Sequence, residues 1–234
     1  EKRPGHYGSI HLVSIDEMKS GDTQGELAVT MEWRDPEGQA LLREHTRFLF
    51  EGGEGYRGIT RITRLKALDQ GVLFKDNKEG VVAIRVTRVM EQPEEKAIRV
   101  SGADGKPLEA LVLDNTGVKG LYRSSEGLTG HAVWGTRGRW MSLDSEIGGE
   151  PVSIVMLDHP ANAGYPTYWH ARGYGLFAAN PLGNEVFSKG AEQLHLRLEP
   201  GAVTTFRHKL LFFNGEKPSE AAIDAAFDAF GKAD

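Results

Sequence analysis

Residues 26–34 read ELAVTMEWR, residues 41–50 read LLREHTRFLF, and Asp35-Pro36-Glu37-Gly38 stands between them. Both flanking segments alternate apolar and polar residues at period two, the spacing of a strand with one buried face. Leu42, Glu44, Thr46, Phe48 and Phe50 share one side of the second segment. The connection carries proline and glycine where a type I or II turn wants them. The pair predicts a β-hairpin. Similar alternation recurs at residues 58–66, 81–88, 152–157, 193–198 and 203–213. In 84–89, Arg85 and Arg88 interrupt the apolar residues, which makes one sheet face polar.

The rest of the chain supports a strand-rich reading. It holds 29 glycines in 234 residues, above the usual share of about 7%, spaced as turns between short strands would be. One helix is expected, at the end. Pro218-Ser219-Glu220 starts it, and Ala222, Ile223, Ala226, Phe227 and Phe230 form a stripe at helical spacing before Gly231. No repeat, heptad or linker interrupts the pattern. Residues 1–234 therefore read as a single all-β, mostly antiparallel domain with one C-terminal helix.

Composition excludes several function classes. The net charge is −5, from 28 Lys and Arg against 33 Asp and Glu. With no basic block, non-specific nucleic-acid binding is not expected. Mean hydropathy is −0.39, and apolar runs such as 210–213 are too short to cross a bilayer. The absence of cysteine removes disulfides, thiolate catalysis and cysteine metal sites. Glu1-Lys2-Arg3-Pro4 opens the chain without a signal-peptide apolar region, so the expectation is an intracellular protein or one processed upstream. Phosphate-loop, dinucleotide, zinc-protease and nucleophile-elbow motifs are absent. Gly52-Gly53-Glu54-Gly55 reads as a hairpin tip.

The candidate chemistry concentrates in residues 158–183, DHPANAGYPTYWHARGYGLFAANPLG. Histidines, an arginine and aromatics sit there among prolines and glycines, as in a long shaped loop. If residues 169–172 are extended, Trp169 and Ala171 face one way and His170 and Arg172 the other. A histidine beside an arginine is held neutral, ready to act as base or ligand, and the arginine can fork onto a carboxylate or sugar hydroxyls. Trp134, Trp140, Trp169, Tyr168 and Tyr174 can stack on a sugar ring or pack in the core. His159 reads as turn chemistry in Asp-His-Pro. His131 lies near an aromatic strand, and His6 and His11 near the first strand. His45, His195 and His208 read as surface or sheet-face residues. Glu79, at a strand mouth, is a candidate general acid or base, or part of a plain turn. If curvature brings His11 to His170, two imidazoles and a carboxylate would suit a divalent metal.

Several of these blocks resemble a known family. They are Phe74-Lys75-Asp76-Asn77-Lys78-Glu79-Gly80 with Ala83-Ile84-Arg85-Val86, then Trp134-Gly135 with Arg139-Trp140. The most characteristic is Asp158-His159-Pro160-Ala161-Asn162, Pro166, Trp169-His170-Ala171-Arg172, Tyr174-Gly175-Leu176 and Ala179-Asn180-Pro181. Together they are similar to the bacterial group labelled "methane oxygenase PmoA-like", a domain of unknown function, from about Gly8 onward. The label does not transfer as an activity, because a membrane copper oxygenase needs spanning helices. The resemblance implies a galactose-mutarotase-like antiparallel β-supersandwich, proximity to sugar-degrading functions, and a periplasmic or secreted location, with a cytoplasmic one left open. It also implies an upstream segment with an Asp-His-Pro-His-His-like motif, not found here, with which this chain would associate. The matching candidates are His11, Glu79, Arg85, His170, Arg172 and Asn180.

The resulting expectation is a carbohydrate-active protein doing acid–base chemistry in a sheet concavity. His170 is the base or metal ligand, Glu79 the partner acid and His11 a second acid, base or ligand. Arg172, Asn180, Arg85, Trp169 and His131 bind substrate. The alternatives are a non-catalytic carbohydrate-binding module and a structural subunit.

Overall fold

The computed structural model describes residues 7–102 and 104–232, so His6 lies outside the described residues. In chain order the strands are β1 (Ser9–Lys19), β2 (Gln24–Arg34), β3 (Ala40–Gly53), β4 (Tyr56–Ala67), β5 (Val72–Phe74), β6 (Val82–Arg85), β7 (Ile98–Ser101) and β8 (Pro107–Val112). They continue as β9 (Leu121–Ser124), β10 (Trp140–Ile147), β11 (Glu150–Asp158), β12 (Tyr168–Ala171), β13 (Leu176–Asn180), β14 (Leu196–Leu198) and β15 (Val203–Asn214). Two α-helices accompany them, α1 (Asn184–Phe187) and α2 (Glu220–Phe230).

Eight strands form the main sheet in the order β1-β2-β3-β4-β15-β11-β10-β9, every neighbouring pair antiparallel. The hairpin that opened the sequence is β2–β3, with Trp33 opposite Leu42 and Gly38 at φ +88° in its turn. The glycine-rich run is the β3–β4 tip. Smaller sheets, β12-β13-β6 and β14-β5, pack on one face of the main sheet, and β7–β8 forms a separate hairpin. The architecture is all-β and antiparallel with a C-terminal helix, as the sequence leads one to expect. The short α1 is an addition that its sequence did not signal.

Strand β11 shows why the layers form. Its run Ile154-Val155-Met156-Leu157 is apolar at every position because both of its faces are covered. Ile154 and Met156 join the core shared with β12, β13 and β6, among Trp169, Phe177 and Leu143. Val155 and Leu157 join the opposite core, where Ile223, Phe227 and Phe230 of α2 lie down. Ser219 caps that helix, accepting from the Ala222 N–H at 3.2 Å.

The 158–167 loop closes against the turn after β13 through Gly164. This residue sits at φ +78°, and a Cβ there would lie 2.1 Å from the Pro181 carbonyl oxygen. Backbone meets backbone, so no side chain can move aside. Gly164→Ala should cost at least about 2 kcal/mol, from left-handed strain plus displacement of the turn. Urea unfolding is expected to show a lower midpoint at unchanged slope.

Candidate functional site

The small sheet carries its chemistry on the side turned away from the main sheet. Trp169 and Ala171 of β12 point into the core, so Tyr168 and His170 occupy the other side by alternation, with Arg172 just beyond the strand. His170 is 3% exposed. Arg172 Nε donates to His170 Nε2 at 3.3 Å. Burial, then the Arg172 charge, holds the imidazole below its ordinary 6.5. The Glu79 carboxylate and the Lys78 backbone pull the other way. The ring is therefore neutral at neutral pH. The Phe187 ring stands 5.8 Å from it, edge-on.

Arg172 extends outward over Trp134, with its guanidinium carbon 4.3 Å from the ring centroid. Beside them opens a recess of about 430 Å³ lined by Glu94, Arg99, His131, Trp134, Arg172 and Tyr174. Trp134 and Tyr174 are each 43% exposed. Arg85 holds Tyr174, donating to its carbonyl at 3.2 Å and lying 5.3 Å from its ring centroid. His131 faces the recess while its Nε2 contacts the Pro93 carbonyl at 2.9 Å.

Other expected site residues fall elsewhere. Trp169 is fully buried and its indole N–H donates to Gly138 O at 3.1 Å, so its ring has no free face to stack on a sugar. Asn180 is also fully buried. Its Nδ2 donates to Asn77 O at 2.8 Å and its Oδ1 accepts from Leu182 N at 3.1 Å. It fixes the 77–80 turn instead of reaching a ligand. His11 sits on edge strand β1, opposite Glu32 and bonded to Ser9 Oγ at 2.8 Å. Its register puts it on the face opposite Trp33, away from the small sheets, and no curvature brings it to His170. Glu79 is exposed on the turn before β6, with Lys78 Nζ 3.8 Å away.

The metal set imagined around His11 and His170 is therefore not assembled. Among the described residues, one set places three candidate ligand atoms within 4.8 Å of one another: Asp76, Glu185 and His195. Asp76 already accepts the N–H groups of Glu185, Leu194 and His195 at 3.0, 2.9 and 2.9 Å. His195 Nε2 contacts Glu185 Oε2 at 3.0 Å. The set is a clasp between the 76–80 turn and the loop after α1.

A second polar group lies inside the sandwich and escaped the sequence reading. Glu44, 1% exposed, accepts from Trp33 Nε1 at 2.7 Å, Thr46 Oγ1 at 2.5 Å and Arg61 Nη2 at 3.3 Å. Arg61 borders a cavity of about 500 Å³ beneath residues 73–81. Nearby, His208 lies on a covered face of the main sheet, buried with its Nε2 3.6 Å from Asp158 Oδ1, which keeps the sheet-face half of its reading and overturns the surface half. Arg61 alternates with apolar neighbours just as a solvent-facing residue does, so sequence offered no signal for it.

The model of a family of unknown function, DUF6807, matches residues 1–228. The chain belongs to that family. The expected unknown-function family is met at that level, and the methane-oxygenase label finds no support in the match. No curated protein matches the chain. Similar solved structures include two variants of the GH36 alpha-galactosidase AgaA from Geobacillus stearothermophilus, in complex with raffinose and with stachyose. Each is 12% identical, with a TM-score of 0.30, and the alignment covers 90% of this chain. This chain spans 27% of the length of those enzymes. No helix among the described residues of this family member is long and apolar enough to cross a membrane.

Proposed function

We propose that this protein binds a carbohydrate in the Trp134–Tyr174 recess and performs acid–base chemistry on it. The observation that carries the reading is the recess itself. Two half-exposed aromatic rings, each with a guanidinium alongside, border a polar hollow that also holds a carboxylate and an imidazole. Aromatic faces suit the C–H face of a pyranose, and Arg172 and Glu94 suit its hydroxyls. His170, neutral and joined to the recess through Arg172, is the base.

A second reading, a binding module without catalysis, is favoured by one observation: His170 is almost wholly buried and its Nε2 is already engaged by Arg172. A glycan array followed by calorimetry and product analysis separates the two. Under either reading Trp134→Ala weakens saccharide binding at least about tenfold. Under the catalytic reading His170→Gln abolishes turnover while leaving affinity within about threefold. Because burial and Arg172 lower its pKa, the acid limb of kcat/KM should fall below pH 6.5, and Arg172→Gln should move it upward. Retention of no saccharide by the wild-type protein sinks the carbohydrate reading altogether.

A further inference from the structure

The cavity beneath residues 73–81 is a separate hollow on the inner side of the 75–81 segment. Its walls are apolar, with Leu65, Phe74, Val81, Leu182 and Phe206 around the Trp33 indole. At its floor lies the Arg61 guanidinium, with a side-chain exposure of 20%. Among the described residues Arg61 makes two hydrogen bonds, to Glu44 Oε1 and to Val81 O, both 3.3 Å long. A guanidinium carries five N–H donors, so most of its capacity is unspent. Glu44 is its ion-pair partner at 3.3 Å, and Trp33 and Thr46 also donate to that carboxylate, at 2.7 and 2.5 Å, so Glu44 draws on only one of the Arg61 N–H groups. Burial lowers the Arg61 pKa, against the charge and hydrogen bond of Glu44, which raise it.

We propose that this cavity binds a small monocarboxylate with an apolar body, its carboxylate seated on Arg61 and its body against Trp33, Phe74 and Phe206. The hollow matches that chemistry at both ends. A carboxylate accepts two parallel N–H bonds from a guanidinium, and the shielded floor strengthens them. The apolar walls remove the rest of the ligand from water. Lys75 borders the opening and adds attraction. Glu79 borders it too, but its side chain is 67% exposed and lies 3.8 Å from Lys78 Nζ, where water screens its repulsion.

The test is calorimetric titration of the full chain with 3-phenylpropanoate and with its neutral amide, 3-phenylpropanamide. Saturable binding of the acid is expected, with the amide at least about tenfold weaker. Arg61→Met combined with Glu44→Gln leaves no buried charge unpaired and should erase the preference for the acid. Val81→Trp fills the cavity without touching either charge and should abolish binding of the acid. Absence of saturation up to about 10 mM, equal affinity for acid and amide, or undiminished binding of the acid to either variant overturns the proposal. No saccharide enters the readout, so its failure leaves the recess reading untouched, and the converse holds.

Discussion

Trp169→Ala is expected to lower the free energy of unfolding by about 3–5 kcal/mol, and with it the melting temperature by roughly 6–20 °C for a chain of this size. The indole is fully buried in the core between the main sheet and β12-β13-β6, 6.1 Å from the Phe177 ring. Truncation empties a space that fixed strands on both sides cannot close, so the cavity adds to the lost burial. Its Nε1 also donates to Gly138 O, which then loses a partner in the protein interior. Trp169→Phe separates the two losses. It retains most of the packing and should cost about 1–3 kcal/mol, chiefly for the orphaned carbonyl and the residual void. Urea titration checks both values. The Phe variant carries a second consequence, since a ring wholly inside the core touches no ligand and saccharide affinity should be unchanged. A selective loss of binding in the folded Phe variant would return Trp169 to the site.

Trp169 also marks where local sequence stops informing. Alternation correctly separates Trp169 and Ala171 from His170 and Arg172, because strand geometry is a property of neighbours in the chain. Which side meets the main sheet depends on β10 and β11 arriving underneath, and nothing in residues 168–172 encodes that. The same division runs through the molecule. The β2–β3 hairpin and helix α2 were legible because their turn, cap and apolar stripe lie within a few residues of each other. The group of Arg61, Glu44, Asp158 and His208 was not, because Arg61, Glu44 and His208 sit in ordinary alternation, Asp158 ends an apolar run, and all four gain their meaning from strands far apart in sequence. His11 failed for the converse reason. It has the right chemistry, but the sheet order puts it at an edge and on the face opposite the small sheets. Asn180 shows a third case, a residue placed where expected whose hydrogen-bonding groups are consumed in fixing a turn.

The largest pH effect should come from His208 and Asp158, which oppose each other. His208 is completely buried, and neither ring nitrogen is hydrogen-bonded. Burial, then Arg61 and His159, pushes its pKa from 6.5 down to about 3. The folded state thus favours the neutral ring. That contribution is complete above pH 6.5 and is lost as the pH falls toward 3, on the order of 5 kcal/mol in all. For Asp158, burial pushes the carboxyl up from 3.8 to about 6, against the donors Asn162, His159 and Thr167. Its contribution is complete below pH 3.8 and is lost as the pH rises through 6, on the order of 3 kcal/mol. Between pH 4 and 6 the two slopes partly cancel in the wild-type protein. His208→Leu leaves only the Asp158 slope, so its stability relative to wild type should improve steadily from pH 7 to pH 4. Asp158→Asn leaves only the His208 slope, so its relative stability should worsen over the same interval. Urea midpoints at pH 4, 5, 6 and 7 read both trends, and curves parallel to wild type would refute the assignment. Each substitution also carries a packing cost, but that cost is the same at every pH. Only a proton taken up or released on unfolding can make the differences change with pH, and the opposite signs tie each trend to its own residue.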